Sequence, residues 1–187
     1  MVASDIAGVL RRPARTFAAM RDGRPLGAAV GVVAGSGIAA ALLSVVAALL
    51  EQDPAGLGIS AFLPLLFASV WLIDAYIVDA VAQLMGVASR LRVWMSVSAF
   101  AIPALVAFDA IRVVQAILDR NGAFDVSTGV GFAGFLVLAW FLALIAVAAA
   151  AVYGLPALSA LAAALAPPAA MATLLVVVLI GFSAAAR

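Results

Sequence analysis

No cysteine, no histidine and no lysine occur among the 187 residues, and charged side chains make up only 10% of them. Each shortage removes chemistry. Without thiols or imidazoles there are no disulfides, thiolate nucleophiles, imidazole bases or His and Cys zinc sites. A Ser–His intramembrane protease of the rhomboid kind is excluded on the same ground. Neither a metal nor another cofactor is expected, and nucleic acid is not an expected partner.

The residues present are 68% hydrophobic, with a mean hydropathy of +1.29. That is an integral membrane protein rather than a soluble domain. At about 20 residues per span, the chain has room for four to six spans and no sizeable domain outside the bilayer. The apolar runs fall at 26–50, 61–85, 94–118, 129–153 and 168–186, which predicts an all-α bundle of five transmembrane helices. The stretch "LPALSALAAALAP" reads as a linker or a short interfacial or re-entrant half-helix, with the Pro167-Pro168 pair starting the last span.

Residues 1–25 form a separate cytoplasmic segment. It is polar and Arg-rich without a continuous apolar core, so a cleaved signal peptide is not expected. Ile6, Val9 and Leu10 follow Ser4 at helical spacing, and Phe17 and Met20 repeat the pattern beyond Pro13. A kinked amphipathic helix lying on an anionic leaflet fits these residues. Arg11, Arg12, Arg15, Arg21 and Arg24 precede the first span, and Arg90 and Arg92 lie between the second and third. Basic short loops stay cytoplasmic, so the N-terminus is expected inside and the C-terminus outside.

Helices in lipid associate largely through close approach at small residues. Gly27, Gly31 and Gly35, four residues apart and followed by Ala39, predict a packing face inside the monomer, with homodimerisation as the second reading. Gly129, Gly131 and Gly134 open the fourth span in the same way. Pro103 is expected to bend the third span, with Ser96 and Ser98 near enough to help satisfy the freed carbonyls.

The second span carries Asp74, Asp79 and Gln83. An Asp near the centre of a span costs about 2.5 to 3.5 kcal/mol to insert, and each large apolar residue returns about 0.3 to 0.6. Two such residues cancel roughly a dozen apolar ones, so this helix needs neighbours. Asp79 shares a face with Ala75, Tyr76, Gln83 and Gly86, while Asp74 points about 140° away. Both avoid lipid only if this helix is flanked on two sides, which predicts a central position for it.

Asp109 and Arg112 lie three residues apart on the third span and favour a local ion pair. Asp74, Asp79, Gln83, Asp109 and Arg112 are therefore candidates for either a structural polar network or a proton or cation path. Ser, Thr and Asn are sparse on the other spans, which favours the network. Intramembrane aspartyl proteolysis lacks its Tyr-Asp and Gly-x-Gly-Asp signatures around these acids.

Three stretches carry a family likeness: "LRRPARTFAAM", with Pro13 and Phe17; "MGVASRLRVWMSVSAFAIPALV", with Gly86, a basic turn and Pro103; and "AVYGLPALSALAAALAP", with Tyr153, Gly154, Ala160 and Pro167. The chain resembles the Yip (Ypt/Rab-interacting protein) family in a short prokaryotic form. One departure is that Gly86 stands alone where the family often has paired glycines. The resemblance implies five spans, a cytoplasmic N-terminus and a non-enzymatic role in membrane organisation as a trafficking-like scaffold. The long cytoplasmic region through which eukaryotic members are thought to engage Rab-type GTPases has no counterpart here, so that interaction is not carried over. The expected location is a prokaryotic plasma membrane, and the expected partners are the bilayer, anionic headgroups, and a second copy or other membrane proteins. A small transporter or channel using the intramembrane acids is the alternative.

Overall fold

Where backbone polar groups cannot reach water, helix satisfies them, and the computed structural model, which describes residues 2–185, is helical nearly throughout. The chain begins with α1 (Val2–Arg11) and α2 (Pro13–Met20). Helix α1 starts at Val2, so Ser4 lies inside its first turn and is not its cap. Arg12 takes φ −142° because the residue before a proline is pushed out of the helical region, and Pro13 then opens α2. The two short helices fold close together. A Cβ on Gly8 would stand 2.8 Å from Thr16 Oγ1, so glycine permits the approach.

The apolar side of this hairpin meets protein. Val9, Phe17 and Met20 are completely buried, α1 packing on the third span and α2 on the fourth. This differs from the surface helix expected from the sequence, because the bundle offers an apolar seat that is more complete than a headgroup layer. Leu10, Arg11, Arg12 and Arg15 stay exposed.

Helix α3 (Leu26–Glu51) ends at Gln52, whose left-handed φ of 57° closes the last turn on the Ala48 carbonyl. A short α4 (Pro54–Ser60) follows, capped by Asp53 accepting from the Ala55 N–H at 3.0 Å. Helix α5 (Leu63–Leu84) is the second span, and α6 (Leu91–Ser98), a 3₁₀ segment (Ala99–Leu105) and α7 (Val106–Arg120) together make the third. Pro103 thus tightens a stretch of helix into 3₁₀ winding. The nearby hydroxyls serve other ends: Ser96 Oγ donates to the Val93 carbonyl at 2.8 Å, and Ser98 Oγ accepts from Trp71 at 3.3 Å.

Helix α8 (Phe124–Tyr153) starts ahead of the expected residue 129. Helix α9 (Ala157–Ala185) runs straight through Pro167 and Pro168, so the "LPALSALAAALAP" stretch is mostly the first half of that helix. The expected end at residue 186 lies outside the described residues. Prolines keep helical φ, and in hydrocarbon an unwound backbone would orphan more groups than two missing N–H donors do. Alanine-rich sequence before the pair adds intrinsic helix preference. Among the described residues, α3, α5, the Leu91–Arg120 run, α8 and α9 are long and apolar enough to cross a membrane.

The centre of the bundle is the third span, not the second. Residues 96–102 are buried on every face, enclosed by α3, α5, α8 and α1. Helix α5 packs between α3 and α9 and against α6 of the third span. The Gly27, Gly31 and Gly35 stripe is exposed, and a Cβ on any of the three would meet nothing within 4 Å. The close approach falls instead at Gly37, about 200° round the helix from Gly35. There an added Cβ would stand 2.6 Å from Pro64 Cα. On α8, Gly131 and Gly134 do meet α7, facing Gln115 and Phe108, whereas Gly129 is open.

Candidate functional site

The end of α5 is closed by Gly86, whose φ of 84° lets the chain turn back under the helix. The Val87 N–H reaches the Ala82 carbonyl at 3.1 Å, and the following loop is carried up beside Asp79. Four donors converge on that carboxylate. Tyr153 Oη donates to Oδ1 at 2.7 Å and the Arg90 backbone N–H to the same oxygen at 2.9 Å. Ser89 Oγ donates to Oδ2 at 2.7 Å and Gln83 Nε2 at 2.8 Å. Asp79 is only 4% exposed, and both oxygens are satisfied by hydrogen bonds.

Around this knot the neighbouring segments are drawn together. The Arg90 guanidinium donates to the Val152 carbonyl and, at 3.4 Å, to the Arg21 carbonyl, joining the end of α8 to the N-terminal hairpin. Gly154, with φ 69°, ends α8 directly after Tyr153. The Tyr153 ring packs on Trp94 with centroids 5.7 Å apart, and the Trp94 indole N–H is buried without a partner among the described residues. Arg24 adds a second tie, pairing with Asp5 at 3.1 Å while its backbone N–H donates to Ser96 Oγ at 2.9 Å.

Of the residues singled out in the sequence, Asp79 and Gln83 do meet, as their four-residue spacing predicts, and Tyr153 joins them. Ser89 was not foreseen. Its signal was a hydroxyl in a basic loop after a glycine turn, which fixes no partner without the fold. Arg11, Arg12, Arg15, Arg21 and Arg92 remain exposed, whereas Arg24 and Arg90 are partly buried in the ties just described.

Asp74 is in a different setting. It is 6% exposed, and no hydrogen bond or ion pair reaches it among the described residues. Trp71, one turn earlier, donates instead to the Met95 carbonyl at 3.2 Å and to Ser98. The Asp74 side chain lines a cavity of about 200 Å³ between α5, α8 and α9, whose other walls are apolar, among them Val70, Leu105, Phe141 and Pro167.

Asp109 is buried on α7, but no direct Asp109–Arg112 ion pair forms among the described residues. Arg112 Nη2 reaches Glu51 Oε2 at 3.1 Å, tying α7 to the end of α3. Same-helix spacing favours the local pair, but the last turn of α3 brings a competing carboxylate to the tip of Arg112. The acids are therefore separated into one saturated knot, one lone carboxylate beside an apolar cavity, and one carboxylate on another helix outside that cavity.

Five apolar helices folded as one bundle, with their acids enclosed by neighbouring helices, define a multi-pass helical membrane protein. The Yip1 domain model matches residues 7–180, and the chain belongs to that family. Neither a curated protein nor a solved structure matches it.

Proposed function

We propose that this chain is a non-enzymatic scaffold of the Yip family that organises the membrane and other membrane proteins around it. The observation that carries this reading is the Asp79 knot. Three of its four donors, Ser89, the Arg90 N–H and Tyr153, fix another segment against α5, the fourth, Gln83, comes from α5 itself, and none is left to bind or relay a passing ion. The three stretches that carry the family likeness contain Phe17, Ser89, Arg90 and Tyr153, so residues of those stretches serve assembly of one end of the bundle. A conduction path would need a polar lining, and the cavity at Asp74 has an apolar one.

The N-terminus lies on the cytoplasmic side in this reading, in a prokaryotic plasma membrane, with the C-terminus opposite. Arg11, Arg12 and Arg15 line a groove between α1 and α2, suited to anionic headgroups. In proteoliposomes the protein is expected to pass no protons or cations beyond the leak of empty vesicles. A flux that disappears in Asp74→Asn would replace the scaffold with a transporter. Adding anionic lipid to the solubilised protein is expected to raise its Tm, less so in high salt. An equal rise in a variant with all three arginines changed to Gln would remove the headgroup site.

A further inference from the structure

The cavity beside Asp74 has no part in the scaffold role. Asp74 lies near the middle of α5, about 16 Å from one end and 15 Å from the other at 1.5 Å per residue. A carboxylate at that depth with no partner is a costly group, and its surroundings offer no donor to relieve it. The cavity is not sealed. Ile73, Leu138 and Met171 in its wall are 41%, 39% and 51% exposed, on a surface that faces acyl chains. A molecule dissolved in the bilayer can therefore reach Asp74 sideways.

We propose that this cavity binds a small lipophilic amine, with its ammonium group against the Asp74 carboxylate and its hydrocarbon part among the apolar walls. The chemistry of the lining selects this class. A hard metal ion needs about six oxygen ligands, and among the described residues Asp74 is the one oxygen-bearing side chain there. Anions are repelled by the carboxylate, and an acyl chain would fill the space but leave Asp74 unpaired. An ammonium donates charge-assisted hydrogen bonds to the carboxylate, and Phe141 contributes an aromatic ring, to whose face cations are attracted. Lipid amine headgroups sit at the interface, too far from mid-helix to serve. An apolar cavity of about 150 Å³ holds a benzene ring. The 200 Å³ here accommodates a ring with a short aminoalkyl tail.

The test is equilibrium binding of 2-phenylethylamine and its uncharged analogue 2-phenylethanol to the full chain in zwitterionic nanodiscs, with empty nanodiscs subtracted. The amine is expected to bind saturably and about tenfold tighter than the alcohol, the effect of one charge-assisted hydrogen bond. In Asp74→Asn the amine falls to the level of the alcohol. Val70→Phe keeps the carboxylate but fills the cavity, and is expected to abolish saturable binding of both. Absent saturable binding, equal affinities in the wild type, a preference that survives Asp74→Asn, or binding unchanged by Val70→Phe would each overturn the proposal. If Asp74→Asn fails to fold, the wild-type comparison and Val70→Phe decide it. A scaffold without the amine site would fail this test alone, and the flux measurement is unaffected by its outcome.

Discussion

A buried carboxylate is stabilising only when its lone pairs are met, and Asp79 meets that condition through partners from three places in the chain. Tyr153 contributes the longest-range bond and the only one from α8. Tyr153→Phe removes one donor while keeping the ring on Trp94. It is expected to lower the unfolding free energy by about 1.5 to 3 kcal/mol in a detergent titration, the range for a hydrogen bond to a charged group. Gln83→Ala, at the same carboxylate but on an exposed residue, is expected to cost less than about 1 kcal/mol. Equal effects would mean that the knot is not the tie between α5 and α8. At this scale the sequence was partly legible. The Asp79–Gln83 pair is local and follows from helical spacing, whereas Ser89, Tyr153 and the Arg112–Glu51 pair depend on which helices become neighbours. Spacing alone also favoured Asp109 for Arg112, since it could not foresee Glu51 arriving from α3.

Elements were legible in existence and less so in their ends and faces. Long apolar runs mark spans because insertion sums over many residues, so a few misplaced ones do not hide a helix. Polar residues and prolines blur the boundaries: Asp125, Ser127 and Thr128 interrupt the apolar run ahead of residue 129, and the Pro167-Pro168 pair reads as a break, yet α8 and α9 both begin before these residues and carry on through them. The small face of α3 is a sharper case. Two sets of small residues run along that helix, and nothing local distinguishes Gly27, Gly31 and Gly35 from the set containing Gly37, Ala40 and Ser44 that packs. Gly37→Ala pushes a methyl group into the Pro64 backbone and is expected to destabilise by about 1 to 3 kcal/mol, the usual cost of overpacking. Gly31→Ala meets open space and is expected to be neutral or to stabilise by up to about 1 kcal/mol through helix preference. A cost at Gly31 that grows with protein concentration would reveal a second copy on the exposed stripe.

For the whole molecule, the two ends of the bundle differ in charge. The N-terminal hairpin, the loop with Ser89 and Arg90, and the turn after Tyr153 are joined at one end through Arg90. That end carries the exposed Arg11, Arg12, Arg15, Arg21 and Arg92. The other end holds the Arg112–Glu51 pair together with Asp53, Asp119 and Asp125. With five helices between them, the proposed orientation puts the arginine-rich end in the cytoplasm and the acidic end outside. Having no native cysteine, the chain allows this to be read one residue at a time. Asp119→Cys, exposed at the acidic end, is expected to react with a membrane-impermeant maleimide in intact cells. Ala19→Cys, exposed on α2, is expected to react only after the membrane is opened. The reverse pattern would put the arginine groove outside and remove its anionic cytoplasmic leaflet. Labelling of both in intact cells would mean that the five helices do not all span the bilayer.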